Sequence, residues 1–440
     1  MNRTNLKLYH DKLLRQIATI AWLFLALLSW SCRPVQDEAE LRREEATDTL
    51  TQQLEAVYEN NQLMGMSVLV MTDGEVVYQN GFGWAQKENE VPATANTPYR
   101  LASISKSATA TALMMLYDEG KVDLDADVSR YLGFELRNPK HPGIAITLRQ
   151  LLSHQSSIVD GEGYYRFSRA MFEEPLYIKE LFLPGGAYYT EDLFLGHEPG
   201  AYFTYANCPW GIIAGVVERI SGQRFDRFCR EKIFEPLGMD ASFNVRDLED
   251  FDSLGILYRY EEDQWAPQAG YYPEGKPAPR VGADYVPGSN GLLFGPQGSL
   301  RSSVADLVHF MKMHIEEGRF EEKQLLQAET ARMMHEAQWT NNGSNGNTYH
   351  DFFFSWGLGF HRIIRRDSMD IIFPDRDMVG HPGEAYGLIS DMYFHKESGT
   401  GVIFATNGSK KDFAYGKRTT FYLPEEQVFE AVYPFVQALE

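Results

Sequence analysis

Arg100-Leu101-Ala102-Ser103-Ile104-Ser105-Lys106-Ser107 leads into an alanine-rich, largely apolar run over residues 107–117, which ends at Gly120. The run predicts a buried helix, with Gly120 placed to stop it. Residues three apart on a helix share a face, so Ser103-x-x-Lys106 brings an amine beside a hydroxyl. Ser103 also stands at the helix start. Free N–H groups and the positive dipole end favour an alkoxide or a tetrahedral oxyanion there. On its own the tetrad is weak evidence, and a Ser N-cap followed by an exposed Lys fits it better. The remainder of the chain decides between the two.

With 440 residues, 44% apolar and 23% charged, the chain suits a globular protein with a sizeable core. Its net charge of −20 argues against nucleic acid and against an anionic membrane surface as direct partners. The three cysteines, Cys32, Cys208 and Cys229, contain no Cys-x-x-Cys pair, which argues against a cysteine zinc site. Cys208 and Cys229 either pair in an oxidising compartment or pack as small apolar residues. No pattern calls for a cofactor.

Residues 1–31 predict an export signal. Arg3, Lys7, Lys12 and Arg15 form its basic start, and residues 17–28 an apolar run too short to span a bilayer comfortably. Ser29-Trp30-Ser31-Cys32 resembles the end of a bacterial lipoprotein signal, with Cys32 as the lipidated first mature residue. Ordinary cleavage near Ser31 is the alternative. The expected location is the cell envelope, facing the periplasm or the exterior, with the lipid as the sole membrane contact. Residues 32–50 are assigned as a tether, polar and charged through residue 46.

Residues 47–60 place Leu50, Leu54 and Val57 on one helical face that packs on a sheet. Residues 66–71 and 75–78 predict strands joined by Asp73-Gly74, a strong hairpin signal. Residues 147–154 predict a short helix with Thr147 as N-cap. Residues 161–200, rich in aromatics and glycine, predict irregular structure near a cleft. Further helices are expected over 208–221, 224–234 and 304–317, and a polar loop over 341–348. Strands return over 356–364, 387–394 and 401–405, and a helix over 424–439 closes the chain. The fold class is α+β. One antiparallel sheet is drawn from residues 51–100 and 348–440 and flanked by helices, with a mainly helical region, 101–347, inserted.

Two more motifs follow Ser103-x-x-Lys106. Tyr205-Ala206-Asn207 precedes an apolar helix, and His381-Pro382-Gly383-Glu384 precedes a strand pair. With these in hand the chain resembles the serine β-lactamase and penicillin-binding-protein family. The resemblance is closest to the branch of class C β-lactamases, DD-peptidases and esterases, which carries Ser-x-x-Lys, Tyr-x-Asn and Lys/His-x-Gly in this order. Thr147-Leu148-Arg149-Gln150-Leu151-Leu152-Ser153-His154, Glu235-Pro236-Leu237-Gly238-Met239 and Gly298-Ser299-Leu300-Arg301-Ser302 look like its flanking segments. The likeness runs from about Met64 to Asn407.

The resemblance implies a β-lactamase/transpeptidase-like fold over residues 51–440 and a serine hydrolase acting through an acyl-enzyme. Ser103 is then the nucleophile, and Lys106 and Tyr205 the candidate bases. A neighbouring ammonium is expected to lower the Tyr205 pKa, and burial to lower that of Lys106. Asn207 orients substrate and holds Lys106. The N–H groups of Ser103 and Glu384 form the oxyanion hole, beside His381 and Gly383.

The third motif departs from the family pattern. Pro382 stands where a substrate-binding Thr or Ser is usual, His381 replaces Lys, and Glu384 adds a negative charge. These changes disfavour anionic substrates unless Arg301 or Arg280 reaches in. The expected substrate is a small or cell-wall-derived ester or amide. A β-lactamase, a DD-carboxypeptidase and a non-catalytic penicillin-binding-like sensor are the alternatives. His154 is expected to pack at a helix end. A metallohydrolase is disfavoured because Trp339 stands where His335-Glu336 would need a second histidine, and an α/β-hydrolase because no Gly-x-Ser-x-Gly occurs.

Overall fold

The computed structural model describes residues 38–364 and 371–440. The predicted export signal, Cys32 and the tether through residue 37 lie outside the described residues. Helix α1 runs over Glu38–Asn60, so it starts well before residue 47. The stretch Glu38-Ala39-Glu40-Leu41-Arg42-Arg43-Glu44-Glu45-Ala46 is composed of strong helix formers. Its polarity reads as a tether only when an apolar stripe is demanded of every helix. The chain divides into two compact units at Asp48, and the second, Thr49–Glu440, contains everything that follows.

Asp73 and Gly74 both take positive φ, 50° and 76°, as a two-residue hairpin turn requires. They join β1 (Gly65–Thr72) to β2 (Glu75–Gln86). The other strands of the main sheet are β3 (Val91–Pro92), β4 (Trp339–Thr340), β5 (Ser355–Trp356), β6 (His361–Ile363), β7 (Met378–Ala385), β8 (Leu388–His395) and β9 (Thr400–Thr406). They lie in the order β4-β5-β6-β7-β8-β9-β1-β2-β3, all antiparallel. Met66 faces Thr406 and Met71 faces Gly401, so the first strand is zipped to the last. The α+β sheet drawn from both chain ends is present. The strand expected over 356–364 is instead the hairpin β5–β6. Gly357 and Gly359 turn the chain there, and the Gly357 N–H donates to the Phe360 carbonyl at 2.8 Å.

Every residue of β1 and β9 is buried, because helices cover both faces. Helix α2 (Ser105–Asp118) packs on α3 (Pro209–Ser221), and α4 (Val304–Ile315) lies under β1, β8 and β9. Helix α5 (Leu423–Leu439) covers the other face. Leu69, Met71, Met392, Phe394, Ile403 and Ala405 join the large core shared with α2, α3 and α4. Thr147 caps the helix Leu148–Leu152 through a reciprocal pair with Gln150, and Ser303 caps α4. Residues 161–200 are more ordered than expected. They hold helices Glu162–Ala170 and Lys179–Phe182, whose Tyr164, Phe167, Leu181 and Phe182 are buried. Cys208 and Cys229 are both free and buried.

Candidate active site

Ser103 sits in a single 3-10 turn, Ala102–Ile104, directly ahead of α2. Ala102 takes φ +47°, a left-handed conformation that costs an L-residue about 1–2 kcal/mol. The sharp turn is held on both sides. The Leu101 N–H donates to the Leu300 carbonyl at 2.8 Å, and the Ser390 hydroxyl to the Leu101 carbonyl at 3.2 Å. Strand β7 closes over the turn at Gly383. A Cβ there would meet the Leu101 oxygen at 2.7 Å and the Ser103 nitrogen at 3.2 Å, so only glycine lets the strand come this near.

One turn on, the Lys106 ammonium is fully buried and spends its three donors on three oxygens. Nζ lies 2.9 Å from Ser103 Oγ, 2.8 Å from Asn207 Oδ1 and 2.9 Å from the Gln297 carbonyl. None of the three is a carboxylate. Burial pushes the Lys106 pKa down to about 7, against the smaller upward pull of Asp160. The spacing therefore sets the Lys106 amine directly on the serine oxygen.

Asn207 is fixed by Asp160, which sequence reasoning missed. The Asp160 carboxylate accepts from Asn207 Nδ2 (2.8 Å), from the Asn207 N–H (2.8 Å) and from the Cys208 N–H (2.7 Å). It satisfies the orphan donors at the start of α3 and turns the amide so that its oxygen faces Lys106. Asp160 stands in Ile158-Val159-Asp160-Gly161, with no motif around it. Its only sequence signal was an acidic residue free to cap a helix forty-odd positions away.

Tyr205 puts its ring 4.8 Å from Lys106 Nζ and interacts through its hydroxyl with Ser103. Its pKa is raised, first by burial and then by Asp160 and Tyr349, against the lowering by Ser103. The expected lowering by a neighbouring ammonium is absent: desolvation dominates, and the one opposing influence is the Ser103 hydrogen bond. The ring is clamped by His154 at 4.5 Å and by Phe353 at 5.3 Å between centroids. His154 is a packing residue. It is buried, its Nδ1 accepts from the Ala206 N–H at 3.2 Å, and burial holds it well below the usual histidine pKa.

The third motif runs along β7. His381 is fully buried, with Nδ1 2.6 Å from the Pro382 carbonyl. Burial, then Lys106, hold its pKa far below the ordinary value, so it carries no charge near neutrality. Glu384 accepts from the Tyr422 hydroxyl at 2.9 Å. Ser103, Tyr205, Asn207, Pro382, Gly383 and Glu384 line one cleft of about 340 Å³. Among the described residues, no Lys or Arg lines it. Arg301 is buried on the Ser299 carbonyl at 2.8 Å, and Arg280 donates to the Leu293 carbonyl and lines a different cavity. Neither reaches Ser103. Among the described residues, no group of three His, Cys, Asp or Glu is placed to hold a metal ion.

Comparison with known proteins follows the same outline. The Beta-lactamase family model matches residues 47–423. A Bacillus subtilis (strain 168) protein named as a penicillin-binding protein, PbpX, is 26% identical over 245 residues, 56% of this chain and 53% of that protein. The chain thus spans about half the length of that curated relative. The octameric penicillin-binding protein homologue from Pyrococcus abyssi superposes with a TM-score of 0.64 at 24% identity, over 87% of this chain and 76% of that one. EstCE1, described as a hydrolase with promiscuous acyltransferase activity, gives 0.63 at 21% identity, over 88% and 99%. At these identities the two structures speak for the fold.

Proposed function

Since this chain belongs to the Beta-lactamase family of serine hydrolases, we propose that it cleaves an ester or amide through an acyl-enzyme on Ser103. The observation that carries the reading is the 2.9 Å contact between a buried Lys106 Nζ and Ser103 Oγ. Lys106, with its pKa near 7, takes the Ser103 proton as Oγ attacks the substrate carbonyl. Tyr205 keeps its own proton through this step. As the leaving group departs, Tyr205 gives that proton to the alcohol or amine and takes one from the Lys106 ammonium in exchange, and water then displaces the acyl group along the reverse path. The Ser103 and Glu384 N–H groups hold the oxyanion, and Asn207 keeps Lys106 on station.

The substrate follows from the cleft wall. Pro382 offers neither hydroxyl nor N–H, His381 is buried and neutral, and no Arg or Lys lines the cleft among the described residues. Glu384 would repel a carboxylate. The reading is therefore a hydrolase faster on small neutral acyl esters than on anionic β-lactams or peptide C-termini. We also propose export with lipid attachment at Cys32, on the strength of the residues before it.

The deciding experiment measures kcat/KM for p-nitrophenyl butyrate and for a chromogenic cephalosporin side by side. A cephalosporin value equal to or above the ester value overturns the substrate assignment. Failure of a fluorophosphonate probe to label wild type, with Ser103→Ala as the blank, overturns the nucleophile.

A further inference from the structure

The part of the cleft beyond Ser103 has a composition that the acyl-transfer chemistry does not use. Its wall is aromatic: Tyr349, Phe353, Tyr415, Phe421 and Tyr422 all face it. Tyr415 is 60% exposed, although a tyrosine gains by burying its ring. It stacks on Tyr422 with ring centroids 5.3 Å apart and planes at 18°, so the exposed ring is held in place. The polar groups among these rings include two carboxyls, with His350 and Thr420 beside them. Tyr422 Oη donates to Glu384, and Glu425, only 4% exposed, also lines the cleft. Glu425 Oε2 accepts from the Tyr422 N–H at 2.6 Å. Asp391 lies behind Glu425, fully buried, with the two carboxyls in hydrogen-bond contact.

We propose that this aromatic and acidic wall is a subsite for an ammonium group, so that the favoured substrate carries a positive charge on a quaternary or fully substituted amine. The inference rests on the acyl-enzyme reading above and names the substrate class of the same cleft. Ring faces attract cations, the more so when the cation is poorly hydrated. Glu384 supplies the opposing charge. Among the described residues no Lys or Arg lines the wall, and His350 is the one basic side chain on it. Burial pushes the Asp391 pKa up to about 8, and burial together with Asp391 raises that of Glu425. Both carboxyls therefore hold their protons near neutrality, and the fixed negative charge on the wall is that of Glu384. The net charge of −20 draws cations towards the molecule as a whole.

The test compares choline with 3,3-dimethylbutan-1-ol, its uncharged carbon isostere, as inhibitors of p-nitrophenyl butyrate hydrolysis. Choline should inhibit about tenfold more strongly or better, a ratio in the range of one cation–π contact plus a partly shielded charge. The ratio should fall towards one in Tyr415→Ala and in Glu384→Gln, and also in high salt. Equal inhibition by the two compounds, or a ratio untouched by both substitutions, overturns the subsite. If the ester is not hydrolysed at all, the acyl-enzyme reading fails instead. Calorimetric binding of the same two compounds to the full protein then decides the subsite alone, with tighter choline binding supporting it and equal binding overturning it.

Discussion

Asp160 and Lys106 are joined by the two ends of one amide. Asn207 Nδ2 is 2.8 Å from the Asp160 carboxylate, and Asn207 Oδ1 is 2.8 Å from Lys106 Nζ. The carboxylate is close enough to raise the lysine pKa but does not touch it. It stabilises the ammonium without capturing it, and leaves Nζ free to face Ser103.

Neutralising that carboxylate therefore has a signed consequence. Asp160→Asn should move the acidic limb of the kcat/KM profile to lower pH, because the upward pull on Lys106 is gone. It should also cost roughly 1 kcal/mol of stability through the lost cap at α3. A pH–rate profile and a urea titration check the two halves. An acidic limb that stays in place or moves upward contradicts the electrostatic role.

In wild type, kcat/KM should rise with pH through about 7, where Lys106 loses its proton, and then level off. Lys106→Ala and Tyr205→Phe should each lower it by about 10²–10⁴-fold, and the double variant by little more than the worse single. Full activity in Tyr205→Phe would leave that ring a purely packing role.

Ser103→Ala should lower kcat/KM by about 10⁴-fold or more while leaving the fold intact. Circular dichroism and turnover on purified protein check this. Retained turnover removes the nucleophile assignment.

Lys106 also links stability to pH. Its folded pKa, about 7, lies below the unfolded value of about 10.4. Between the two the unfolded chain binds more protons, so stability rises with pH over that window. Below about pH 7 the cost of burying the ammonium is present in full. The gain in urea midpoint between pH 6 and pH 9 should shrink in Lys106→Met. An unchanged gain would assign the slope to other groups.

Cys32→Ala should release the protein from the membrane fraction, since a lipid is the proposed anchor. Mass spectrometry of the mature N-terminus gives the direct answer, and an unmodified residue there removes the assignment.

The candidate site residues legible in the sequence are those that carry a short motif. Ser103 and Lys106 stand one helical turn apart, and Tyr205 and Asn207 two residues apart in the irregular segment ahead of α3, spacings too short for the fold to separate. What was not legible is of two kinds. The Gln297 carbonyl on Lys106 is a backbone group, which no side-chain pattern reports. Asp160 acts across a long stretch of chain, through a loop whose course only the finished fold defines. The same reasoning separates the elements. The β1–β2 hairpin was readable from Asp73-Gly74, a local signal. The split of 356–364 into β5 and β6 depends on Gly357 and Gly359 turning under the Leu152 carbonyl, to which the Gly359 N–H donates at 3.0 Å.

The pairing of β1 with β9 has a consequence for the order in which the protein can be made. A ribosome delivers β1, then Ser103 and α2, and only several hundred residues later the strands that flank β1 and carry Gly383 up to the Ser103 N–H. Until then β1 has one neighbour, β2, and the nucleophile has a lysine but half an oxyanion hole. Long-range strand pairing of this kind is slow to close and leaves apolar edges open while it waits. Under the proposed acyl-enzyme function, the nascent chain is catalytically silent until these late strands dock.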